Sequence, residues 1–464
     1  MESQHESEHE TCRVIVLGGD RSEVLLGDTD AGFVLPSIAI PRSERVAENL
    51  TAALKQNWGC EAVCLFTPTQ FSRDDHFENK HHEVLECWNC AGSHSRGVWR
   101  SIGSLTTDCF QNTKEFRVIE QCLHELDSHE CSSSSPFARR GWFWELREWV
   151  ADAIRAIGLE LTGPFRQFNA SPTFSLIRFE TTGRPVWFKA IGEPNLREFR
   201  ITLELAKRFP EFTPQTLASK PEWNGWLSLE AMGKNLGDTK DIACWEQAAA
   251  ALAKLQIESI LHCESLLALA AHDLRFDRLF SGIDPFFDLV ARLMGEQTKV
   301  PPAILSREDL GLTRMLVDDA LTMLADLEIP STLGHLDLNP WNIIVSADGS
   351  IFLDWAEAYI GHPFFSLQYL LEHFRRDAAT AAAHRSQIVD AYKTPWRHLI
   401  SSDRIDEALA LTPLAAVFVY AGTGTWKDEE KLRDPKLAGY FRALARRMHR
   451  EAIQSMERRS SCLG

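Results

Sequence analysis

The sequence predicts an α+β protein whose β-rich first part is followed by a second strand-rich region and then by a mainly helical part. Short apolar runs such as residues 13–17 and 24–26 alternate with Gly and Asp turns through residues 12 to 125. A small, polar segment at residues 131–136 has the composition of a linker. Strand patterns recur at residues 165–230, and beyond residue 240 apolar positions take helical spacing.

These patterns divide the chain into five parts. We predict a disordered tail at 1–11, a β-rich accessory domain at 12–130, a linker at 131–140, a linking helix with a small β-rich lobe at 141–235, and a helical lobe at 236–464. Two helices stand out by their apolar spacing. One runs from Ser43 to a stop at Gly59; the other carries the stripe Trp142, Leu146, Trp149, Ala153 and Ile157.

Composition narrows the class of function. The 464 residues are 44% hydrophobic, and a net charge of −16 repels the phosphate backbone of nucleic acids. We find no apolar run approaching the roughly 18 to 20 residues of a membrane span, and residues 1–10 are no signal peptide. The eleven cysteines are dilute and odd in number. We therefore expect a cytoplasmic protein with reduced thiols and with no nucleic-acid or membrane partner.

A β-hairpin carries the residues that point to chemistry. Runs at 342–345 and 351–354 flank Asp348-Gly349, a pair suited to a tight turn. With these two residues at the centre of the turn, Asp354 faces Ile343 and lies one residue from standing opposite Asn342. Carboxylate and amide oxygens suit Mg²⁺.

Asp337 lies on the loop that enters this hairpin, with His335 just before it. A carboxylate there can orient a hydroxyl toward a metal-bound phosphate. The alternative is an ordinary hairpin whose ends are polar because they are exposed to solvent.

The segment His335-Leu-Asp337, Asn342 and Asp354-Trp355 resembles the aminoglycoside phosphotransferase (choline kinase-like) family, which has a loop H-G-D-x-x-x-x-N followed by a D-W metal site. The resemblance implies a bilobal protein-kinase-like fold with a small β-rich lobe and a large helical lobe. It implies ATP and Mg²⁺ as cofactors, a catalytic loop containing His335 and the base Asp337, and Asn342 and Asp354 as metal ligands. Leu336 and Asn339 depart from the family's usual Gly and His.

The same resemblance extends upstream to the nucleotide. It implies that Lys189, at a strand end, contacts the α- and β-phosphates and that Glu198, at the start of a helix, holds it, with Glu204 as the other possible partner. The alternative is an exposed lysine and a solvated acid.

Two further segments are assigned to the cofactor. Ser171 and Thr173, in a glycine-free loop at 168–175, are assigned to the phosphates, and backbone groups of Glu230 and Met232 to adenine. A common Ser/Thr turn and a plain buried strand would look similar.

Downstream features leave two interpretations open. Residues 361–363 and Ser366, at positions where the family often has aspartates, fit either a structural turn or a contact to the acceptor. Trp396 and Trp426 fit either a core or an acceptor pocket.

The first domain shows a second resemblance. Residues 31–60 resemble a Nudix segment, with Glu44 and Gly59 at matching places, but residues 52–57 replace its acidic run. Without those carboxylates a Mg²⁺-pyrophosphate site is lost, so we expect a catalytically silent domain. Cys87 and Cys90, preceded by His81 and His82, form either half of a zinc site or buried structural thiols.

The sequence therefore predicts a kinase that moves the γ-phosphoryl group of ATP to a hydroxyl or amine of a small metabolite or antibiotic. The alternatives are a nucleotide-binding pseudokinase that acts as a sensor, and a Nudix hydrolase that acts through the first domain. The acceptor, the preference for ATP over GTP and the oligomeric state stay open.

Overall fold

The computed structural model describes residues 9–18, 22–41, 45–66, 80–90, 97–130, 135–374, 381–423 and 430–462. The chain forms two compact units. The first is Met1–Phe199 with Gln215–Glu230, and the second is Arg200–Pro214 with Ala231–Gly464. The division therefore falls after Phe199 and not at the predicted linker, of which residues 131–134 lie outside the described residues.

The first unit begins with a mixed sheet. Its described strands are β1 (His9–Leu17), β2 (Glu23–Thr29), β3 (Gly32–Val34), β4 (Ser37–Pro41), β5 (Cys60–Phe66), β6 (Lys80–Cys90) and β7 (Val98–Ser101). Their order is β3-β2-β1-β6-β5, with β4 paired to β1 and β7 to β2, and only the β1–β6 pair is parallel among these. Strand β1 starts inside the predicted tail, because residues 9–13 pair in register with residues 37–41 of β4.

Helix α1 (Val46–Trp58) follows β4 and confirms the predicted apolar spacing. Its buried face contains Ala47, Leu50 and Leu54. The helix ends where Gly59 takes a φ of +64° and donates its N–H to the carbonyl of Lys55, which is a glycine terminator of the expected kind. The predicted start at Ser43 lies outside the described residues. Helix α2 (Thr113–Glu130) follows β7.

A second, antiparallel sheet completes the first unit. It follows helix α3 (Trp142–Arg155) and consists of β8 (Leu161–Ala170), β9 (Ser175–Thr181), β10 (Val186–Ala190), β11 (Thr216–Lys220) and β12 (Gly225–Leu229), in the order β11-β12-β10-β9-β8. Helix α3 buries Trp142, Leu146, Val150 and Ile154, whereas the predicted Ile157 is exposed because the helix ends at Arg155.

The two sheets of the first unit share one hydrophobic core. Buried residues of the N-terminal sheet, such as Val24 and Val63, belong to the same cluster as Trp142 and Phe188. On β8, the buried Gln167 side chain accepts the backbone N–H of Cys64 at 2.8 Å and donates to the carbonyl of Cys64 at 3.2 Å. The region predicted as an accessory domain is therefore packed together with the second sheet. Helix α4 (Arg197–Arg208) crosses the division.

The second unit is mainly helical. Its described helices are α5 (Ile242–Ser259), α6 (Cys263–Ala268), α7 (Phe276–Gly295), α8 (Arg307–Asp326), α9 (Phe364–Phe374), α10 (Ala381–Trp396), α11 (Ser402–Thr423) and α12 (Pro435–Cys462). Its described strands are β13 (Lys234–Asn235), β14 (His272–Leu274), β15 (Thr332–His335), β16 (Ile343–Ser346), β17 (Gly349–Phe352) and β18 (Ala358–Gly361). They form two small sheets, β13-β16-β17 and β14-β18-β15.

Trp396 is fully buried in the helical core. This burial favours a core role for Trp396 over a place in an acceptor pocket. Trp426 lies outside the described residues.

Within the described part of the chain, α11 is the one helix long and apolar enough to cross a membrane by length and composition. This corrects the expectation that no apolar run approaches that length. Of its most apolar window, 56% is buried inside the unit, and its buried residues belong to the helical core, as in the core helix of a folded protein.

The hairpin β16–β17 exists, but its predicted register is wrong. Ile343 pairs with Phe352 and Ser346 with Gly349, so Ala347 and Asp348 form the turn. Gly349 follows the turn and takes a φ of +149°, which means that the glycine is needed after the turn and not within it.

Candidate active site

Lys189 and Glu198 form an ion pair in the first unit. Buried and half-buried residues alternate along β10, so Lys189 is flanked by the buried Phe188 and Ala190. Its Nζ lies 2.6 Å from Oε1 of Glu198 in the first turn of α4, and the two side chains are 16% and 3% exposed. The other possible partner, Glu204, pairs with Arg208. Removing one member of so buried a pair leaves the other charge uncompensated, which destabilises the folded unit.

The loop at 168–175 is a tight turn between β8 and β9. The Ser171 hydroxyl accepts the N–H groups of Thr173 and Phe174 at 3.3 and 3.0 Å. Thr173 also packs against Gly192, where a Cβ atom would lie 2.3 Å from the Thr173 side chain. These two amides are therefore bonded within the turn, and these contacts give Ser171 and Thr173 a structural role and do not support the predicted phosphate role.

Glu230 is the last residue of the first unit, and its side chain is held on the sheet. It accepts hydrogen bonds from Arg178 Nε at 2.5 Å and from Trp187 Nε1 at 2.8 Å. The hydrogen bonds from Arg178 lower the pKa of Glu230. The backbone N–H of Glu230 donates to the carbonyl of Pro185 at 2.9 Å, so at this residue the carbonyl is the backbone group left for the predicted adenine contact. Met232 is 61% exposed.

The predicted catalytic loop of the second unit begins at the end of β15. Gly334 is required there, because a Cβ atom at this position would lie 2.0 Å from the ring of Tyr359 on β18. The N–H of the next residue, His335, donates to the buried hydroxyl of Ser366 at 2.8 Å. The loop is thereby fixed at its first residue by helix α9.

His335 is fully buried, with both ring nitrogens bonded inside the protein. Nε2 donates to the carbonyl of Leu353 at 3.0 Å, and Nδ1 accepts the N–H of Asp337 at 3.1 Å. Burial lowers the pKa of His335, which agrees with the neutral ring that these partners require. The burial of His335 does not support the predicted direct part in catalysis, because its ring has no exposed surface with which to touch an acceptor. The ring positions the backbone of the loop.

The Asp337 carboxylate is held by three side chains. Oδ1 accepts from Asn339 Nδ2 and from the Tyr369 hydroxyl, each at 3.1 Å. Asn342 Nδ2 donates to the Asp337 carbonyl at 3.0 Å and lies 3.5 Å from Oδ2. The structure thus brings Asp337 and Asn342 together as predicted. Tyr369 was missed, because no local spacing joins a loop residue to a helix residue 32 positions later.

Asn342 and Asp354 meet at the end of the hairpin. The carbonyl of Asn342 accepts the N–H of Leu353 at 2.8 Å, and Asp354 follows directly. Asp354 adopts a left-handed backbone, φ 62° and ψ 66°, a conformation that aspartate tolerates better than most residues and that recurs at functional sites.

These two residues fit a Mg²⁺ ion by their donor chemistry. The amide nitrogen of Asn342 is bonded to Asp337, which leaves its amide oxygen to bind a cation, and Asp354 supplies a carboxylate one residue after the partner of the Asn342 carbonyl. Among the described residues there is no cluster of three or more His, Cys, Asp or Glu side chains that could hold a metal. Two protein oxygens suit Mg²⁺, which keeps its other positions for water and phosphate.

The segment at 361–366 is a buried structural turn. Ser366 is fully buried and contacts the Tyr359 hydroxyl at 3.1 Å. His362 accepts the N–H of Phe364, and burial lowers the pKa of His362 to about 3. The Pro363 carbonyl accepts the buried Gln256 amide at 2.8 Å. These contacts favour the turn interpretation over a contact to the acceptor.

The two departures from the family pattern are accommodated locally. Leu336 is buried in the helical core. Asn339 caps the short turn at 340–342, since its Oδ1 accepts the N–H of Trp341 at 2.9 Å.

Four thiols of the first unit lie in the core beside α1. Cys87 is buried in one cluster with Cys12, Cys60 and Cys64, and burial raises the pKa of Cys12 to about 12. The side chains of His81 and Cys90 lie outside the described residues.

Residues 196–398 match the model of the phosphotransferase enzyme family, APH. The chain matches no curated protein. Solved structures similar to it include the macrolide 2′-phosphotransferase MphH from Brachybacterium faecium, with 16% identity, TM-score 0.42, and coverage of 65% of this chain and 97% of that one. An ethanolamine kinase from Plasmodium vivax has 13% identity and a TM-score of 0.47, with coverage of 71% of this chain and 93% of that one. The choline kinase LicA from Streptococcus pneumoniae has 16% identity and a TM-score of 0.43, with coverage of 67% of this chain and 99% of that one.

The matched segment contains Asp337, Asn342 and Asp354, whereas Lys189 precedes it. Over residues 196–398, this chain is therefore similar to the APH phosphotransferase family.

Proposed function

We propose that the protein transfers the γ-phosphoryl group of ATP, with Mg²⁺, to a hydroxyl or amine of a small molecule, a metabolite or an antibiotic. The observation that carries this proposal is the arrangement of Asp337, Asn342 and Asp354 within the family segment. One carboxylate is held by neighbouring side chains beside two oxygen donors suited to Mg²⁺.

Asp337 serves as the base in this proposal. Its Oδ1 already accepts two hydrogen bonds, whereas among the described residues Oδ2 has only the long contact to Asn342, so Oδ2 is the oxygen left for the acceptor's proton. The acceptor oxygen or nitrogen forms a bond to the γ-phosphorus as the bond from that phosphorus to the ADP oxygen breaks. The acceptor's proton passes to Asp337.

The remaining residues neutralise and orient the phosphates. Asn342 and Asp354 would hold Mg²⁺, which when bound offsets the charge of the phosphate oxygens. Lys189, fixed by Glu198, would serve the α- and β-phosphates as the family resemblance implies. Catalysis then consists of positioning and charge neutralisation.

For the N-terminal region we propose a Nudix-like fold without catalytic activity. Helix α1 carries one acidic residue, Glu48, and that carboxylate is paired with Arg45 and Arg166. Glu44 lies outside the described residues. The acidic helix that a Nudix hydrolase needs is therefore not supplied by α1.

A nucleotide-binding pseudokinase is the second candidate. The observation that favours it is the glycine-free loop at 171–174, whose amides at Thr173 and Phe174 are bonded within the turn and not offered to phosphate.

An acceptor screen separates the two candidates. The full chain is incubated with Mg·ATP and a panel of aminoglycosides, macrolides, choline, ethanolamine and other hydroxylated metabolites, and products are detected by mass spectrometry. We expect one class of acceptor to gain a phosphoryl group and Asp337→Asn to remove that product. Tight Mg·ATP binding without transfer to any acceptor would support the pseudokinase, and nucleoside diphosphate hydrolysis that survives Asp337→Ala and Asp354→Ala would support the Nudix alternative.

A further inference from the structure

We propose that Tyr369 is a positioning residue that fixes the orientation of the Asp337 carboxylate. This inference rests on the proposed function, in which Asp337 is the base. The Tyr369 hydroxyl lies 3.1 Å from Asp337 Oδ1, and it is the donor because an ionised carboxylate can only accept. By occupying Oδ1, it turns Oδ2 toward the acceptor.

The position of the Tyr369 hydroxyl is itself fixed by packing. Its ring contacts His373, one helical turn away on α9, with 5.1 Å between centroids, and Tyr420 on α11 at 5.6 Å. The Tyr420 hydroxyl in turn lies 3.2 Å from that of Tyr440 on α12. Three helices therefore hold one phenol against the base.

The hydroxyl keeps its proton under ordinary conditions. Burial and the neighbouring Asp337 charge both raise the pKa of Tyr369. Tyr369 therefore serves as a hydrogen-bond donor, and it is not a second base.

Tyr369 also forms part of a cavity wall beside the base. Within the second unit, a cavity of about 130 Å³ is lined by Leu336 of the catalytic loop and by Tyr369, Tyr420 and Tyr440. Glu372 and Arg447, which also line it, are paired with each other at 2.8 Å. The side chain that holds the base thus also borders the space next to it.

The loss expected from Tyr369→Phe is partial. Asn339 continues to donate to Asp337 Oδ1, so that oxygen keeps one of its two hydrogen bonds. A hydrogen bond to a charged group is worth roughly a 10-fold to 100-fold change in rate when it acts only in the transition state. We expect kcat to fall by about 10-fold while the KM for ATP stays unchanged.

The test compares full-length wild type, Asp337→Asn, Tyr369→Phe and Tyr392→Phe. The last variant removes a buried tyrosine hydroxyl of the same unit that bonds Gln256 and does not line this cavity. Initial rates are measured with Mg·ATP and the acceptor found by the screen, or with water as the acceptor. The expected result is a lower kcat in Tyr369→Phe, an unchanged KM for ATP, and wild-type values in Tyr392→Phe.

Two outcomes distinguish the inference from the function on which it rests. If wild type transfers, Asp337→Asn does not, and Tyr369→Phe equals wild type, the positioning role is overturned alone. If wild type and Asp337→Asn are equally inactive, the proposed function fails and the role with it.

A thermal double-mutant cycle tests the contact without activity. Tyr369→Phe is introduced into wild type and into Asp337→Ala, which removes the acceptor oxygens, and the melting temperatures are compared. Non-additive shifts are expected if the hydroxyl and the carboxylate interact. Additive shifts would contradict the contact.

Discussion

At the residue scale, the predicted catalytic loop is held by side chains that are distant in sequence. Ser366 accepts the N–H of His335, and the His335 ring spans from the Asp337 N–H to the Leu353 carbonyl. Because Asp354 follows Leu353, one buried imidazole fixes the backbone of the proposed base, Asp337, and the end of the hairpin together. The histidine and the aspartates were predictable from their motif, but their partners were not, since these come from elements that the motif does not contain.

Removing the Ser366 hydroxyl should weaken this arrangement. Ser366→Ala leaves the buried N–H of His335 without an acceptor, and we expect a loss of about 1–3 kcal/mol in the free energy of unfolding. Urea denaturation measures it, with Ser281→Ala on the exposed side of α7 as the matched control. Equal midpoints for both variants would show that this hydrogen bond does not stabilise the loop.

Glu230 should make the stability of the protein depend on acid pH. Its pKa is lowered in the folded state by Arg178, so its contribution is complete above the ordinary value of 4.5 and is lost as the pH falls through the lowered value. Because the side chain is partly exposed, we expect Glu230→Gln to cost about 1 kcal/mol at neutral pH.

The measurement is the free energy of unfolding of wild type and Glu230→Gln from pH 7 downward. The gap between them should narrow below pH 4.5. Glu222→Gln, at an exposed site of the same unit, is the control for loss of one carboxylate. A constant gap at all pH values would refute the role of the ion pair.

At the element scale, local signals predicted elements well and their register poorly. Helix α1 follows from apolar spacing and from Gly59, both of which lie within the helix or next to it. The hairpin was also predicted. A glycine fits either inside a tight turn or directly after it, and Gly349 lies directly after the turn. The close approach of β15 to β18 at Gly334 has no local signal at all, because it depends on Tyr359 in another strand.

Gly334→Ala should disrupt the β15–β18 pair. The added Cβ would lie 2.0 Å from the Tyr359 ring, so strand or ring must move, and we expect a cost of about 3 kcal/mol or more. Gly282→Ala on α7, where the added methyl meets open space, is the control and should stabilise the helix slightly. Thermal unfolding of both variants checks this, and a Gly334→Ala protein as stable as wild type would contradict the packing described.

Gln167 should be important for the joining of the two sheets in the first unit. Gln167→Ala leaves both the N–H and the carbonyl of Cys64 buried without their partner, and we expect a loss of about 2–3 kcal/mol. Gln215→Ala, exposed in the same unit, serves as the control. Chemical denaturation of the full chain gives the comparison, and equal stabilities would mean that the shared core alone joins the sheets.

At the scale of the whole molecule, the family segment accounts for residues 196–398 and leaves the first unit to be explained. The sequence predicted a separate accessory domain because the polar run at 131–136 resembles a linker. In the structure the strands before that run and the sheet after it share one core, a contact between residues too far apart for composition to reveal. The predicted ion pair of Lys189 and Glu198 is present, since strand and helix follow each other closely in the chain.

In the proposed function, Asp337 takes the acceptor's proton while Asp354 holds the metal. Calorimetry of Mg²⁺-dependent ATP binding and an assay of phosphoryl transfer separate these two roles in wild type, Asp337→Asn and Asp354→Ala. We expect Asp354→Ala to lose Mg²⁺-dependent nucleotide binding, and Asp337→Asn to bind nucleotide nearly as wild type does but to transfer nothing. Two variants that bind and transfer as well as wild type would show that the hairpin is only structural.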